Sequence, residues 1–242
     1  MSEFNPIAII PHYNHSTTVG KVVEALQQFD LPVLIVDDGS TVEHQQSLQK
    51  LPQNNRLIIL FRKQNGGKGA AVKTALQAAY ERGFSHAVQV DADGQHQLAD
   101  VGKMLAAAKQ SPDAMICGAP IYSDDAPKAR LYGRKITNFW IAINTLSLQI
   151  KDGMCGFRIY PLEKTVEVVQ QEQIGDRMDF DTEILVYSHW RKMPFIWIDT
   201  PVKYEMGGVS HFRSWTDNWL ISKMHARLFF KMIGRLLTGK MR

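Results

Sequence analysis

The chain has 242 residues, 45% hydrophobic and 21% charged, proportions that suit a globular protein with one large core or two small ones. Two cysteines exclude a disulfide framework and fit a reducing cytosol; no apolar run has the ~20 residues of a bilayer span, and MSEFNP lacks the basic and apolar stretches of a secretory leader. The net charge of +4 is concentrated in His211 to Arg242, which holds seven Lys and Arg against one Asp, so an anionic surface is the expected partner; no nucleic-acid module is recognisable.

Ile7-Ala8-Ile9-Ile10, stopped by Pro11, predicts a buried parallel strand. Pro11 to Asn14 predicts a loop at its carboxyl end. Ser16 or Thr17 then caps a helix with Val19, Val22, Val23 and Leu26 on its apolar face. Pro32 to Val36 is a second strand. It ends in Asp37-Asp38-Gly39-Ser40-Thr41, which by itself reads equally as a turn with a helix cap. Arg56 to Phe61 is the third. Asn65-Gly66-Gly67-Lys68-Gly69 is a glycine-rich turn feeding a helix from Ala70 to Arg82, which Gly83 ends. There is no Walker loop, and no Gly-x-Gly-x-x-Gly follows the first strand, which argues against a dinucleotide fold. The turn still offers backbone N–H groups and Lys68 to a phosphate, or serves only for close packing.

His86 to His96 reads HAVQVDADGQH. Val88 and Val90 alternate with Gln89 as in a strand, which breaks at Asp91-Ala92-Asp93. Carboxylates two residues apart at a strand end project into one cleft, an arrangement that is costly without a cation between them. A hard divalent ion, Mg²⁺ or Mn²⁺, with open positions for phosphate oxygens meets that need. Asp-x-Asp alone also occurs in ordinary turns. The order of elements predicts an open, mostly parallel sheet with helices on both faces and ligand at the strands' carboxyl ends.

Lys128 to Ile150 begins basic, with Arg130, Arg134 and Lys135, and continues as an uncharged run from Ile136, read as a buried or interfacial helix. Near the C-terminus Lys223, Arg227, Lys231 and Arg235 are spaced four apart, opposite Trp215, Trp219, Phe229, Ile233, Leu236 and Leu237. That is the pattern of an amphipathic helix on an anionic membrane, the alternative being a helix docked on the core.

IIPHYN, VDDGST, NGGKGAA and VDADGQH, in this order and spacing, together resemble the family 2 glycosyltransferases of the GT-A fold, closest in pattern to the dolichol-phosphate mannosyltransferase and polyprenyl-phosphate group. The resemblance runs from Ile7 to about Arg213. It implies an α/β GT-A domain over residues 1–213, with a single Rossmann-like, mostly parallel sheet flanked by helices, followed by an amphipathic, membrane-associated helical tail over 214–242. It further implies that Pro11 and Tyr13 pack around the nucleotide base, with His15 replacing the usual Glu. Asp37 then binds base or ribose, Asp38 lies beside it, and Lys68 approaches the diphosphate. Asp91 and Asp93 hold metal and diphosphate, Gln95 is a further ligand, and His96 orients a carboxylate.

Asp152 to Arg158 looks like the family's Asp-x-x-Ser-Gly-Phe-Arg stretch near the acceptor, with Cys155 for Ser. Arg134 stands about where related synthases have an acceptor-phosphate arginine, and Arg158 is assigned to the acceptor with it. Phe180 to Glu183 resembles the Phe-x-x-Glu that opens an acceptor-side helix. Gly208 to His211 is similar to a Gly-x-Ser-Lys loop that closes over the diphosphate, with Lys203 or Arg213 supplying the charge that His211 does not. Pro120 departs from the Arg of the polyprenyl-phosphate enzymes.

The implied activity is inverting, metal-dependent transfer of a sugar from a nucleotide-sugar donor to a lipid-linked acceptor, at the cytosolic membrane face. A hydroxyl acceptor requires Asp181 or Glu183 as base, and residues two apart on a helix diverge, so one of them faces the donor. A phosphate acceptor requires none. A sugar-1-phosphate nucleotidyltransferase would carry a glycine-rich signature with Arg after the first strand, which IIPHYN lacks. A non-catalytic membrane-binding module would have no need of both Asp-x-Asp carboxylates and Glu183.

Overall fold

The computed structural model describes residues 3–52, 55–122, 128–202 and 214–239. Among them seven strands form one sheet: β1 (Pro6–His12), β2 (Val33–Asp37), β3 (Leu57–Phe61), β4 (His86–Gln89), β5 (Met115–Tyr122), β6 (Arg158–Pro161) and β7 (Phe195–Val202). Their order is β3-β2-β1-β4-β6-β5-β7. Every pairing is parallel except those of β6, which runs antiparallel between β4 and β5. The chain builds outward from β1 to β3 and then returns to lay β4 on the other side of β1. The crevice between the carboxyl ends of β1 and β4 is therefore a topological switch point, where such sheets bind ligands.

Helices cover both faces. Along β1, Ile7 and Ile9 enter the apolar cluster that holds α3 (Lys68–Glu81), α6 (Leu162–Gln171) and α7 (Phe180–Trp190). Ala8 and Ile10 enter the opposite cluster, with α1 (Ser16–Gln27) and α4 (Val101–Gln110). Each fully buried Ile contributes about 1.5–3 kcal/mol, so a one-residue slip of β1 would reverse both faces at once. The strand runs two residues past the expected stop: Pro11 pairs with Val36 and His12 with Asp37. Pro11 is tolerated because β4 has already ended at Gln89 opposite Ile9, leaving one side of β1 unpaired there. The expected Ser16 or Thr17 cap does not form. His15 holds the capping position and its side chain does not cap the helix, and Ser16 Oγ pairs instead with His44 Nδ1 at 2.7 Å on α2 (Val42–Gln49).

The C-terminal helix α8 (Ser214–Leu237) lies against α5 (Lys128–Thr145), with Met224, Leu228 and Met232 buried in the main core. Three of the four residues of the basic stripe expected to meet a membrane pair with the body, and Lys223 stays exposed. Arg227 pairs with Glu183, Lys231 Nζ with Glu172 Oε2 at 2.6 Å, and Arg235 Nη2 donates to Trp190 O at 3.1 Å. Of the apolar residues opposite the stripe, Phe229 and Ile233 are half-buried against the core, Trp219, Leu236 and Leu237 are exposed, and the Trp215 side chain lies outside the described ones; four-residue periodicity alone does not say which are covered. Among the described residues no helix is long and apolar enough to cross a membrane.

Candidate active site

β4 ends at Gln89, Val90 N donates to Ile9 O, and the next turn carries Asp91 and Asp93 to the mouth of the β1/β4 crevice. Thr18 Oγ1 of α1 holds this turn from one side by donating to Ala92 O at 2.6 Å. From the other side comes the amino end of α3, whose positive dipole end and Lys68 point at the same place. Gly67 makes that approach possible: its φ is +103°, and a Cβ there would stand 2.6 Å from Asp176 O. The segment before α7 closes over the same helix end, with Ala70 N donating to Asp176 O at 2.9 Å.

The centre of the site is the Lys68 ammonium. Nζ lies 2.9 Å from Asp91 Oδ1, 3.0 Å from Asp91 Oδ2 and 3.0 Å from Asp181 Oδ2. Burial opposes its charge, but Asp181 and Asp91 outweigh burial and raise its pKa. Burial likewise opposes ionisation of Asp91, and Lys68 with His96 overcomes it and holds the carboxyl far below its usual range. His96 Nε2 is 3.4 Å from Asp91 Oδ2, and its ring stacks on Phe157, an orienting geometry. Asp181 Oδ1 is buried without a hydrogen bond, 3.7 Å from the nearest guanidinium nitrogen of Arg158. Gln89 Nε2 is also buried and unpartnered, while its Oε1 accepts from Tyr160 at 2.9 Å. Both orphaned groups lie close to Lys68. A bare backbone at Gly156 makes room for Lys68 and Gln89, since a Cβ there would sit 2.7 Å from Lys68 Nζ and 2.8 Å from Gln89 Nε2. Gln89 was not among the residues singled out from the sequence. The available signal was a polar side chain between Val88 and Val90 at the end of a strand covered on both faces.

The two acidic candidates on α7 separate cleanly. Asp181 faces Lys68. Glu183, fully buried, accepts from Gly175 N at 2.6 Å and pairs with Arg227 of α8. It fastens the loop before α7 and the C-terminal helix, and does not reach the crevice as a base. Arg158 is corrected in the same way. It is 1% exposed on the central strand β6 and donates to Asp181 O at 2.7 Å, so it braces the start of α7 and has no face for an acceptor. The Arg134 side chain is 20% exposed. Nη1 lies 2.5 and 2.6 Å from the two oxygens of Asp152, and the guanidinium stands over the Tyr122 ring.

Asp37 and Asp38 are both buried and engaged within the protein. Asp37 bonds His12 Nδ1 at 2.8 Å and accepts from Ser40 N and Gln45 Nε2. Because His12 Nε2 accepts from His15 N, Nδ1 carries the proton. Asp38 accepts from Arg62 Nη1 at 2.6 Å, Gly66 N and Gly67 N at 2.7 Å, and so shapes the glycine-rich turn. These bonds fix the orientation of both carboxylates at the carboxyl end of β2. Pro11 and Tyr13 are partly exposed beside them at the end of β1. Lys203, His211 and Arg213 lie outside the described residues.

Among the described residues no three His, Cys, Asp or Glu side chains form a metal cage. The donors present are nonetheless hard oxygens: the Asp91 carboxylate, and Asp93, whose Oδ1 accepts only the turn bond from Gln95 N at 3.0 Å. Gln95 follows on the same turn. This set fits a divalent ion that brings most of its coordination shell with a diphosphate and water.

Residues 7–169 match the sequence profile described as Glycosyl transferase family 2. The chain is 26% identical, over 96% of its length and 95% of the relative's, to a UDP-N-acetylglucosamine–dolichyl-phosphate N-acetylglucosaminyltransferase of Methanococcus voltae. It is 30% identical over 69% of its length to a dolichyl-phosphate beta-glucosyltransferase of Dictyostelium discoideum, spanning about half (53%) of that relative. Its fold is similar to that of glucosyl-3-phosphoglycerate synthase from Mycobacterium tuberculosis, crystallised with Mn²⁺, uridine diphosphate and phosphoglyceric acid, with a TM-score of 0.69 at 12% identity over 96% of this chain and 79% of that one.

Proposed function

Because the chain belongs to glycosyltransferase family 2, we propose that it moves a sugar, with inversion, from a nucleoside-diphosphate sugar to a polyprenyl phosphate at the cytosolic face of a membrane. The observation that carries this reading is the Lys68 ammonium held between Asp91 and Asp181 at the switch point of the sheet. The dolichyl-phosphate specificity in the names of its relatives supports the acceptor class.

The donor diphosphate lies beside Lys68 at the amino end of α3, where the ammonium stabilises its negative charge. Asp91 and Asp93, with Gln95 beside them, would hold Mg²⁺ or Mn²⁺; when bound, the ion adds charge neutralisation at the leaving diphosphate. An acceptor phosphate oxygen attacks the anomeric carbon as the bond from that carbon to the diphosphate oxygen breaks. The nucleoside diphosphate departs with the bonding pair. The acceptor is already anionic, so no proton has to be removed, and Asp181 acts by fixing Lys68 against the diphosphate. With a hydroxyl acceptor the same carboxylate, which faces the crevice where Glu183 does not, would take the proton. Arg134, fixed by Asp152, offers its exposed part to the acceptor phosphate.

A donor screen tests this. Nucleotide sugars, polyprenyl phosphate and Mn²⁺ or Mg²⁺ are incubated with the protein and the products are read by mass spectrometry. Expected are a glycosylated lipid and free nucleoside diphosphate, lost in Asp93→Asn and reduced about tenfold or more in Asp181→Asn, and retained in Glu183→Gln. Pyrophosphate release, or no product from any donor, overturns the reading. Equal loss in Asp181→Asn and a folded Glu183→Gln removes the assignment of roles.

A further inference from the structure

Positions +4 and +7 from Tyr132 bring Ile136 and Phe139 onto one face of α5, and positions +11 and +18 from Trp219 bring Phe230 and Leu237 onto one face of α8. All six side chains are exposed, Phe139 at 62% and Phe230 at 71%. On α8 this row is opposite the one that buries Met224, Leu228 and Met232. The two outward rows are continuous. Phe139 contacts Trp140, Trp140 contacts Phe229, and Phe229 contacts Phe230, at ring separations of 6.1, 6.3 and 5.8 Å. An apolar surface spread over two helices of 18 and 24 residues is uncommon on a protein that meets only water.

We propose that the outward faces of α5 and α8 together lie on an anionic lipid bilayer. The inference rests on the lipid-acceptor reading for its purpose and on exposure and charge for its location. Lys128, Lys135 and Lys223 are exposed on these helices, while α5 and residues 218–239 contain no Asp or Glu. A second copy docked through the same face would bring equal surfaces together and set these lysines against one another. Lipid headgroups pair with them, and Trp and Tyr suit the headgroup depth. The surface also adjoins the site. α5 carries Arg134, and its partner Asp152 precedes the segment that leads through Arg158 to Asp181. A polyprenyl chain in the bilayer would thus present its phosphate at the open side of the crevice. Arg227, Lys231 and Arg235 take no part, being paired within the protein.

The test is co-sedimentation of the full chain with phosphatidylcholine–phosphatidylglycerol vesicles that contain no polyprenyl phosphate. Wild type should bind. Phe139→Glu and Phe230→Glu should each lower partitioning about tenfold or more, because a large apolar side chain is withdrawn and a like charge added. Lys231→Gln should bind as wild type does. Circular dichroism confirms folding, and Lys135→Glu with Lys223→Glu gives a second, purely surface pair that should weaken binding and reduce the loss of binding that added salt causes. Equal sedimentation of wild type and both Phe variants overturns the proposal. So does a wild-type dimer, seen by sedimentation velocity, that Phe230→Glu dissociates without any vesicle binding. Transfer to a short-chain, water-soluble polyprenyl phosphate is measured on the same samples. Retained transfer with lost vesicle binding supports both readings. Transfer by a wild type that does not bind vesicles defeats this surface alone, and Phe-dependent vesicle binding with no transfer defeats the lipid-acceptor reading alone.

Discussion

Replacing Arg227 with Ala leaves the Glu183 carboxylate, which is fully buried, with the Gly175 N–H as its remaining partner. Removing one member of a buried ion pair costs about 3–5 kcal/mol. The Arg227 side chain is 44% exposed, so water already screens part of this pair, and the expected loss falls to about 1–3 kcal/mol. For a chain of this length that lowers the melting temperature by roughly 3–10 °C. The sign of the pH dependence follows from Glu183. Burial pushes its pKa up, and hydrogen bonds from Arg227 and Gly175 pull it part of the way back. A carboxyl raised in the folded state is most favourable to folding while protonated, and the folded state loses stability as pH rises from the ordinary value of 4.5 through the raised one. Without Arg227 the folded pKa climbs further and the loss deepens. The deficit of Arg227→Ala is therefore largest at neutral and alkaline pH and fades below pH 4.5, where the group is protonated in both states. Calorimetry at the two ends of that range, with a double-mutant cycle through Glu183→Gln, checks it. Glu183→Gln should remove most of the Arg227→Ala penalty. An unchanged melting temperature for Arg227→Ala, or a penalty that persists undiminished in the Glu183→Gln background, refutes the reasoning.

Gly156→Ala puts a Cβ 2.7 Å from Lys68 Nζ and 2.8 Å from Gln89 Nε2, both mobile ends of side chains. The fold should adjust while Lys68 is displaced, so turnover falls by about tenfold to a hundredfold at near-constant melting temperature; unchanged turnover means that the position of Lys68 does not matter. His12→Ala removes a partner of Asp37, whose carboxyl is held below its ordinary value of 3.8 because hydrogen bonds from His12, Ser40 and Gln45 outweigh the opposing effect of burial. A depressed carboxyl stabilises the fold above 3.8 and ceases to do so as pH falls through its lowered value. The variant should lose about 1–3 kcal/mol near neutral pH and less in acid, read by urea unfolding. An equal loss at both pH values would mean that His12 contributes by packing.

The strands and the loops that follow them were legible because their signals are local. Ile7 to Ile10 is apolar at every position, Gly66, Gly67 and Gly83 punctuate, and Asp91 and Asp93 follow a strand directly. From these the sheet, its carboxyl-end crevice and the family pattern follow. What residues at such positions touch is not local. That Asp181 and Glu183 diverge is a property of any helix; that Asp181 meets Lys68 while Glu183 meets Arg227, 44 residues away, depends on how α7 is rotated by the burial of Phe180, Ile184 and Leu185. Arg158 near the acceptor motif became a buried brace because β6 is inserted antiparallel between two covered strands. Asp37 and Asp38 look like open ligands in VDDGST, yet each is oriented by partners that only the fold brings to it, His12 and the glycine-rich turn. On α8 the four-residue spacing marked a basic stripe correctly and could not assign its direction. Glu183 of α7 and Glu172 just after α6 drew Arg227 and Lys231 inward, while Lys223 and the apolar row of Trp219, Phe230 and Leu237 stayed outside. Periodicity determines which side chains share a face; only the packing of distant segments determines which face is covered, because burial free energy belongs to the contact between them.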